Sequence, residues 1–187
     1  MKNFFDTVAH RSSVRSFTPE PIKPKEWDLL LRAAMSAPSA VNRQPWEFVL
    51  IENRAMLDAL AEALPYAKMA KQAPGAVLVC ADPARAHQGK VEYAILDASA
   101  ACENLLLAAD ALGLGAVWTA VYPQADRQAV VRKLVGVPEG VIPLALVPVG
   151  HPKGEARPQD KYKPELIHRE RWQTRERPLD MPPPDHD

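Results

Sequence analysis

The chain has 187 residues, and 47% of them are hydrophobic, which is enough for one domain with a real core and excludes wholesale disorder. Its 23 Lys and Arg balance 23 Asp and Glu, so no global field draws it onto nucleic acid or an anionic membrane. With only 2 cysteines, Cys80 and Cys102, neither a disulfide framework nor a Cys-rich metal cluster is available.

The elements follow in chain order. Asn3 can cap a short helix through His10. A second helix is predicted from about Lys25 to Ser36. Pro24 suits its first turn, and Trp27, Leu30, Leu31 and Ala34 share one face. The apolar run Glu47 to Ile51 reads as a buried strand. Asn53 then caps a helix carrying Met56, Leu57, Leu60 and Leu64, stopped by Pro65. Ala76 to Ala81 reads as a second buried strand. Val91 to Leu112 is the longest helix, ended by Gly113. That helix is apolar on several faces and rich in alanine, so it needs neighbours on several sides. Ala116 to Val121 is a third strand, Ala125 to Val135 a helix and Leu144 to Val149 a fourth strand. Mixed helices and buried strands define an α/β sandwich around a sheet.

Residues 1–150 thus form a core, and His151 to Asp187 form an arm of the same domain, rich in charge and proline and poor in aliphatic residues. The arm cannot bury itself as a compact unit. Its spaced anchors Tyr162, Leu166, Ile167 and Trp172 favour wrapping over a second copy of the chain. No stretch reaches the roughly 18 apolar residues of a membrane span, and the first residues lack the apolar core of a secretory signal. The cytoplasm is the expected location, with both thiols reduced.

Four segments carry chemistry. Arg11-Ser12-Ser13-Val14-Arg15 places two guanidiniums and two hydroxyls in five residues. It reads either as a solvated basic turn or as an anion site, since arginine forks match phosphate oxygens. The stiff connection Ala37 to Trp46 displays Ser39, Asn42, Arg43 and Gln44. Those side chains either satisfy local backbone or meet a heteroaromatic edge. Gly113 and Gly115 follow a helix and precede a strand, the reverse of a dinucleotide fingerprint. Trp118 and Thr119 then lie in the core or beside a pocket. In the arm, Lys161 and Lys163 are either solvated charges or partners for an anion. The five histidines are isolated, which argues against zinc, and there is no Gly-x-Ser-x-Gly elbow or Walker loop. Glu103 and Asp110 read as the polar edge of the long helix rather than as an acid/base pair.

Taken together, RSSVRSF, SAPSAVNRQPWEFVLI, ENLLLAADALGLGAVWTAVYP and VPVGHPKGEARPQDKYKPELIHRERW resemble, in order and over most of the chain, motifs of the FMN-dependent nitroreductase family. The chain resembles a small single-domain member. The resemblance implies an α+β sandwich with a mixed, mostly antiparallel sheet flanked by helices, working as an intertwined homodimer with exchanged C-terminal arms. It implies FMN at the dimer interface and NADH or NADPH as electron donor. Carried over by position, Arg11, Ser12, Ser13 and Arg15 would hold the phosphate and ribityl chain. Pro38, Ser39 and Ala40 would line the flavin from the partner subunit, and Asn42 would bond the ring edge. Trp118, Thr119 and Ala120 would lie along the ring, and Lys161 or Lys163 would reach the phosphate or the N1–O2 side. His151 stands where the family usually has tyrosine. The chain also lacks the family's longer helical insertion, so Pro65 to Pro74 is expected as a substitute lid, with Tyr66 and Met69 facing substrate. The flavin carries the chemistry, so no catalytic side chain is nominated. The implied reaction is ping-pong transfer of hydride to a nitroaromatic, quinone or similar acceptor. The alternatives are a flavin carrier or redox sensor without turnover, and a flavin-fragmenting or dehalogenating relative.

Overall fold

The computed structural model describes residues 3–154, 158 and 160–173. Among these, the helices are α1 (Phe4–His10), α2 (Pro24–Met35), α3 (Arg54–Ala63), α4 (Val91–Ala111) and α5 (Ala125–Val135). The strands are β1 (Trp46–Ile51), β2 (Gly75–Ala81), β3 (Gly115–Ala116), β4 (Thr119–Ala120) and β5 (Ile142–Gly150). Local chemistry sets the helix ends. Asn3 and Asn53 cap α1 and α3, their side chains accepting from the amides of Asp6 and Met56, which satisfies donors that a helix start leaves orphaned. Pro24 opens α2. Gly113 and Gly136, both at φ 78°, close α4 and α5 in the left-handed conformation that glycine adopts without penalty.

The strands run in the order β1–β2–β5–β3, with β4 also on β5, and every strand pair is antiparallel. The parallel component expected of a mixed sheet is confined, among the described residues, to the isolated bridge between Ser13 and Ala116. Side-chain alternation along β2 builds a core on each face. Val77, Val79 and Ala81 join α2 and α4 on one side, through Trp27, Leu30, Ala98 and Leu105. Ala76, Leu78 and Cys80 join α3 and α5 on the other, through Leu57, Leu60 and Val131. A strand buried on both faces reads as an uninterrupted apolar run, and β2 is buried along its whole length.

Two expectations need correction. β1 is not a buried strand: Trp46 and Ile51 are covered, but Val49 and Leu50 are each 37% exposed. β1 lies at the end of the strand order, and an edge strand lacks a neighbour to bury it. The strand predicted over Ala116 to Val121 is instead two short strands separated by Val117 and Trp118. Pairing on β5 stays in register across the break, Ala116 facing Val149 and Thr119 facing Leu146. The interrupted rung falls at Pro148, whose carbonyl accepts from the Val117 amide at 3.3 Å but whose imide nitrogen has no proton to donate in return.

The start of the arm is moored to the segment after the N-terminal basic turn. The Thr18 amide donates to the His151 carbonyl at 2.8 Å, and the Lys153 amide to the Ser16 carbonyl at 2.9 Å. Farther along, Tyr162, Leu166 and Trp172 are 70%, 70% and 76% exposed. The final part of the expected arm, residues 174–187, lies outside the described residues.

Candidate functional site

The basic turn hangs between α4 and the sheet. Its near end is latched twice: His10 Nδ1 lies 2.5 Å from Asp110 Oδ1, and Arg11 Nε lies 3.5 Å from Glu103 Oε1. Both carboxylates belong to α4, two helical turns apart. The polar edge read from the sequence is therefore a clamp on α1, and Asp110 is buried rather than solvated. Beyond the turn, Ser13 bridges to Ala116, and the Val14 amide donates to the Ala116 carbonyl at 3.1 Å. This close approach requires Gly115, because a Cβ there would sit 2.6 Å from Val14 Cγ1. Buried Phe17 finishes the anchoring. Between these fixed points the ligand-capable groups remain open. Among the described residues neither the Ser12 nor the Ser13 hydroxyl has a partner, and exposed Arg15 makes only a 3.4 Å contact from Nη1 to the Ser13 carbonyl. Arg11 approaches Glu103 through Nε, which leaves its two Nη groups for another anion. Unspent hydroxyls and guanidinium forks on a rigid base fit the phosphate of a flavin mononucleotide.

The second segment is built differently. The Ser39 hydroxyl accepts from the Gln44 amide at 2.9 Å, and Gln44 Nε2 donates to Asn42 Oδ1 at 3.2 Å. Arg85 Nη2 donates to the Gln44 carbonyl at 2.9 Å. The backbone has positive φ at Val41 (53°), Asn42 (54°) and Gln44 (52°), a strained choice for non-glycine residues. Pro38 is exposed and Ser39 half-buried. The Ala40 amide donates to Asp97 Oδ1 of α4 at 3.1 Å. Asn42 therefore offers a ring edge a side chain whose oxygen already has one donor.

The third group surrounds β4. Trp118 is half-buried against the α2/α4 core. The Thr119 hydroxyl donates to the Leu146 carbonyl at 2.6 Å, so this residue faces any ligand with its backbone rather than its hydroxyl. The exposed Ala120 carbonyl accepts from Arg127 Nη1 at 3.2 Å, and the same guanidinium lies 5.2 Å from the centroid of the Tyr66 ring. Arg127 thus ties a residue expected at substrate to one expected at the flavin. The segment expected as a lid is packed: Ala67, Ala70 and Ala73 are fully buried, and Arg54 donates to the Ala73 and Ala70 carbonyls at 2.9 and 2.6 Å. Tyr66 projects outward, and Met69 is half-buried. Lys161 and Lys163 are exposed, and their side chains make no hydrogen bond or ion pair among the described residues.

The structure therefore joins Arg11, Ser12, Ser13 and Arg15 to Ala116 on β3, and Ala120 to Tyr66. Among the described residues the Pro38–Gln44 turn has no hydrogen bond to either group, and its side-chain partners outside the turn are Asp97 of α4 and Arg85. The sequence reading did not single out Asp97 or Arg127. Asp97 does carry a faint signal, the one charged residue in the run Ala94 to Ala101. Both cysteines are free and buried. Burial pushes the Cys80 thiol up to about 12 and raises that of Cys102 as well. No helix among the described residues is long and apolar enough to cross a membrane.

A two-faced antiparallel sheet between helix layers, with an open cationic turn bridged to it, defines an α+β sandwich of the nitroreductase type. The nitroreductase family profile matches residues 8–151, and the chain belongs to that family. A protein of Archaeoglobus fulgidus, provisionally named NADH dehydrogenase/NAD(P)H nitroreductase, is 38% identical over 175 residues, covering 92% of this chain and 100% of that one. A crystal structure under the same provisional name from Bacteroides thetaiotaomicron is 46% identical with a TM-score of 0.86, covering 92% of this chain and 100% of that one. A provisionally named nitroreductase of Desulfovibrio desulfuricans, solved in complex with FMN, is 27% identical with a TM-score of 0.76, covering 92% of this chain and 100% of that one.

Proposed function

We propose that this protein is an FMN-dependent oxidoreductase that takes hydride from NADH or NADPH and reduces a nitroaromatic, quinone or similar electron-poor acceptor. The observation that carries the reading is the basic turn, whose Ser12, Ser13 and Arg15 side chains stand open on a base fixed at both ends. The FMN-bound relative supports it. Bound FMN supplies the acceptance and release of hydride; the chain supplies binding, orientation and electrostatics.

Arg11, through its Nη groups, together with Ser12, Ser13 and Arg15, holds the phosphate and ribityl chain. Lys161 or Lys163 adds a further positive charge. Trp118, Thr119 and Ala120 flank the ring from one protomer; Pro38, Ser39, Ala40 and Asn42 meet it from the other. Donor and acceptor occupy one opening in turn, bordered by Tyr66 and Met69, and this alternation gives ping-pong kinetics. No side-chain acid or base is required, since protons come from water.

A homodimer completes the site. Phe4, Phe5, Val41, Leu96, Tyr162 and Trp172 are exposed large apolar or aromatic groups, which a second copy of the chain would cover. An obligate interface of this kind buries more than about 2,000 Å², and light scattering on the purified protein will report twice the chain mass. The decisive test is optical. Fresh protein is yellow, and NADH or NADPH bleaches it without air. Colourless protein that takes up no FMN on reconstitution overturns the reading.

A further inference from the structure

We propose that Asp97 is a positioning residue that holds the Ser39–Gln44 turn in its flavin-facing shape, so that a carboxylate in one protomer shapes the ring contact made to the other protomer's cofactor. This inference rests on the flavin reading given above.

Asp97 is 7% exposed on α4, in a helix stretch whose neighbours Ala94, Ala98 and Ala101 are fully buried. A carboxylate in such surroundings is costly unless its oxygens are paired. Here only one is paired. Oδ1 accepts from the Ala40 amide at 3.1 Å, while buried Oδ2 has no hydrogen-bond partner among the described residues. A small apolar residue would satisfy the packing at lower cost, so the benefit of the carboxylate lies at Ala40. Ala40 opens the turn in which Val41, Asn42 and Gln44 take positive φ, and Val41, being β-branched, is the least suited of the three. Strain of this kind persists only where surroundings over-determine it. Ser39, Gln44 and Arg85 brace the far side of the turn. Among the side-chain anchors of the described residues, Asp97 alone fixes its beginning and is itself buried. Without it, the Ala40 amide loses its acceptor and the turn can relax away from the geometry that presents Pro38, Ser39 and Ala40.

The test separates holding a turn from holding the fold. Asp97→Leu removes the half-paired charge while keeping the branched heavy-atom outline, and Asp97→Asn keeps an acceptor oxygen. FMN affinity and melting temperature are measured for wild type and both variants, each as apoprotein and loaded with FMN. Expected is a melting temperature for Asp97→Leu apoprotein at or above that of wild type, with FMN binding weakened about tenfold, the loss of one hydrogen bond to a charged group. The rise in melting temperature caused by FMN shrinks in parallel, and Asp97→Asn stays within about threefold of wild-type affinity. Asp97→Ala, which adds no bulk, replaces Asp97→Leu if the latter does not fold. Wild-type FMN affinity in Asp97→Leu and Asp97→Ala overturns the inference alone, as does a fall in stability with the FMN-induced shift unchanged. A wild-type protein that takes no FMN overturns the flavin reading first and the inference with it.

Discussion

The two turns attached to α4 solve opposite problems. The basic turn of residues 11–17 is fastened at its ends and leaves its side-chain donors unspent. The turn of residues 38–44 spends its polar groups on itself and on Asp97, and accepts backbone strain in doing so. One is arranged to take up a ligand's charge, the other to present a fixed shape. The difference shows that a site can be half reactive chemistry and half scaffold, with both halves hung from one helix.

That contrast can be tested from the strongest effect downward. The double variant Arg11→Ala/Arg15→Ala weakens FMN binding by about 10³-fold, each arginine contributing on the order of 2 kcal/mol, as read by titrating apoprotein with FMN. Unchanged affinity would remove the ligand-gripping role from the first turn. Gly115→Ala drives a Cβ into Val14, costs about 1–3 kcal/mol of stability by overpacking, and loosens FMN through the displaced turn; denaturant melts and FMN titration report both. Val41→Asn acts on the other turn and in the other direction. Asparagine tolerates the left-handed region, so stability rises by up to about 1 kcal/mol in urea melts. No gain there would mean that the second turn stores no strain. The last effect vanishes at neutral pH and concerns the framework behind both turns. The Cys80 thiol is raised from 9.0 to about 12 in the fold, so its contribution is complete below pH 9 and is lost as pH climbs towards 12. The slope is about 1.4 kcal/mol per pH unit in that window, and Cys80→Ala flattens it.

What the sequence disclosed and what it hid divide along the same line between local and distant causes. The caps at Asn3 and Asn53 and the stop at Gly113 act within one turn of chain, and the helices they bound were legible to within a residue or two. β2 was legible because a strand covered on both faces has no polar side to show. β1 has a similar apolar composition, and nothing local distinguishes an edge strand from a central one. The break at Val117 and Trp118 was hidden because its cause, Pro148, lies on another strand. The site followed the same rule. Motif order marked the turns, whereas the anchors that fix them join residues far apart in sequence: Asp97 to Ala40, Asp110 to His10, and Arg127 to Tyr66.

The mooring between residues 16–18 and 151–153 sets a practical boundary on shortening this protein. Cutting the chain just after Gly150 deletes the carbonyl that receives Thr18 and the amide that reaches Ser16. Removing the tail therefore also slackens the lever on which Arg15 is carried, and a trimmed variant that loses colour has not thereby shown that the tail itself touches the pigment.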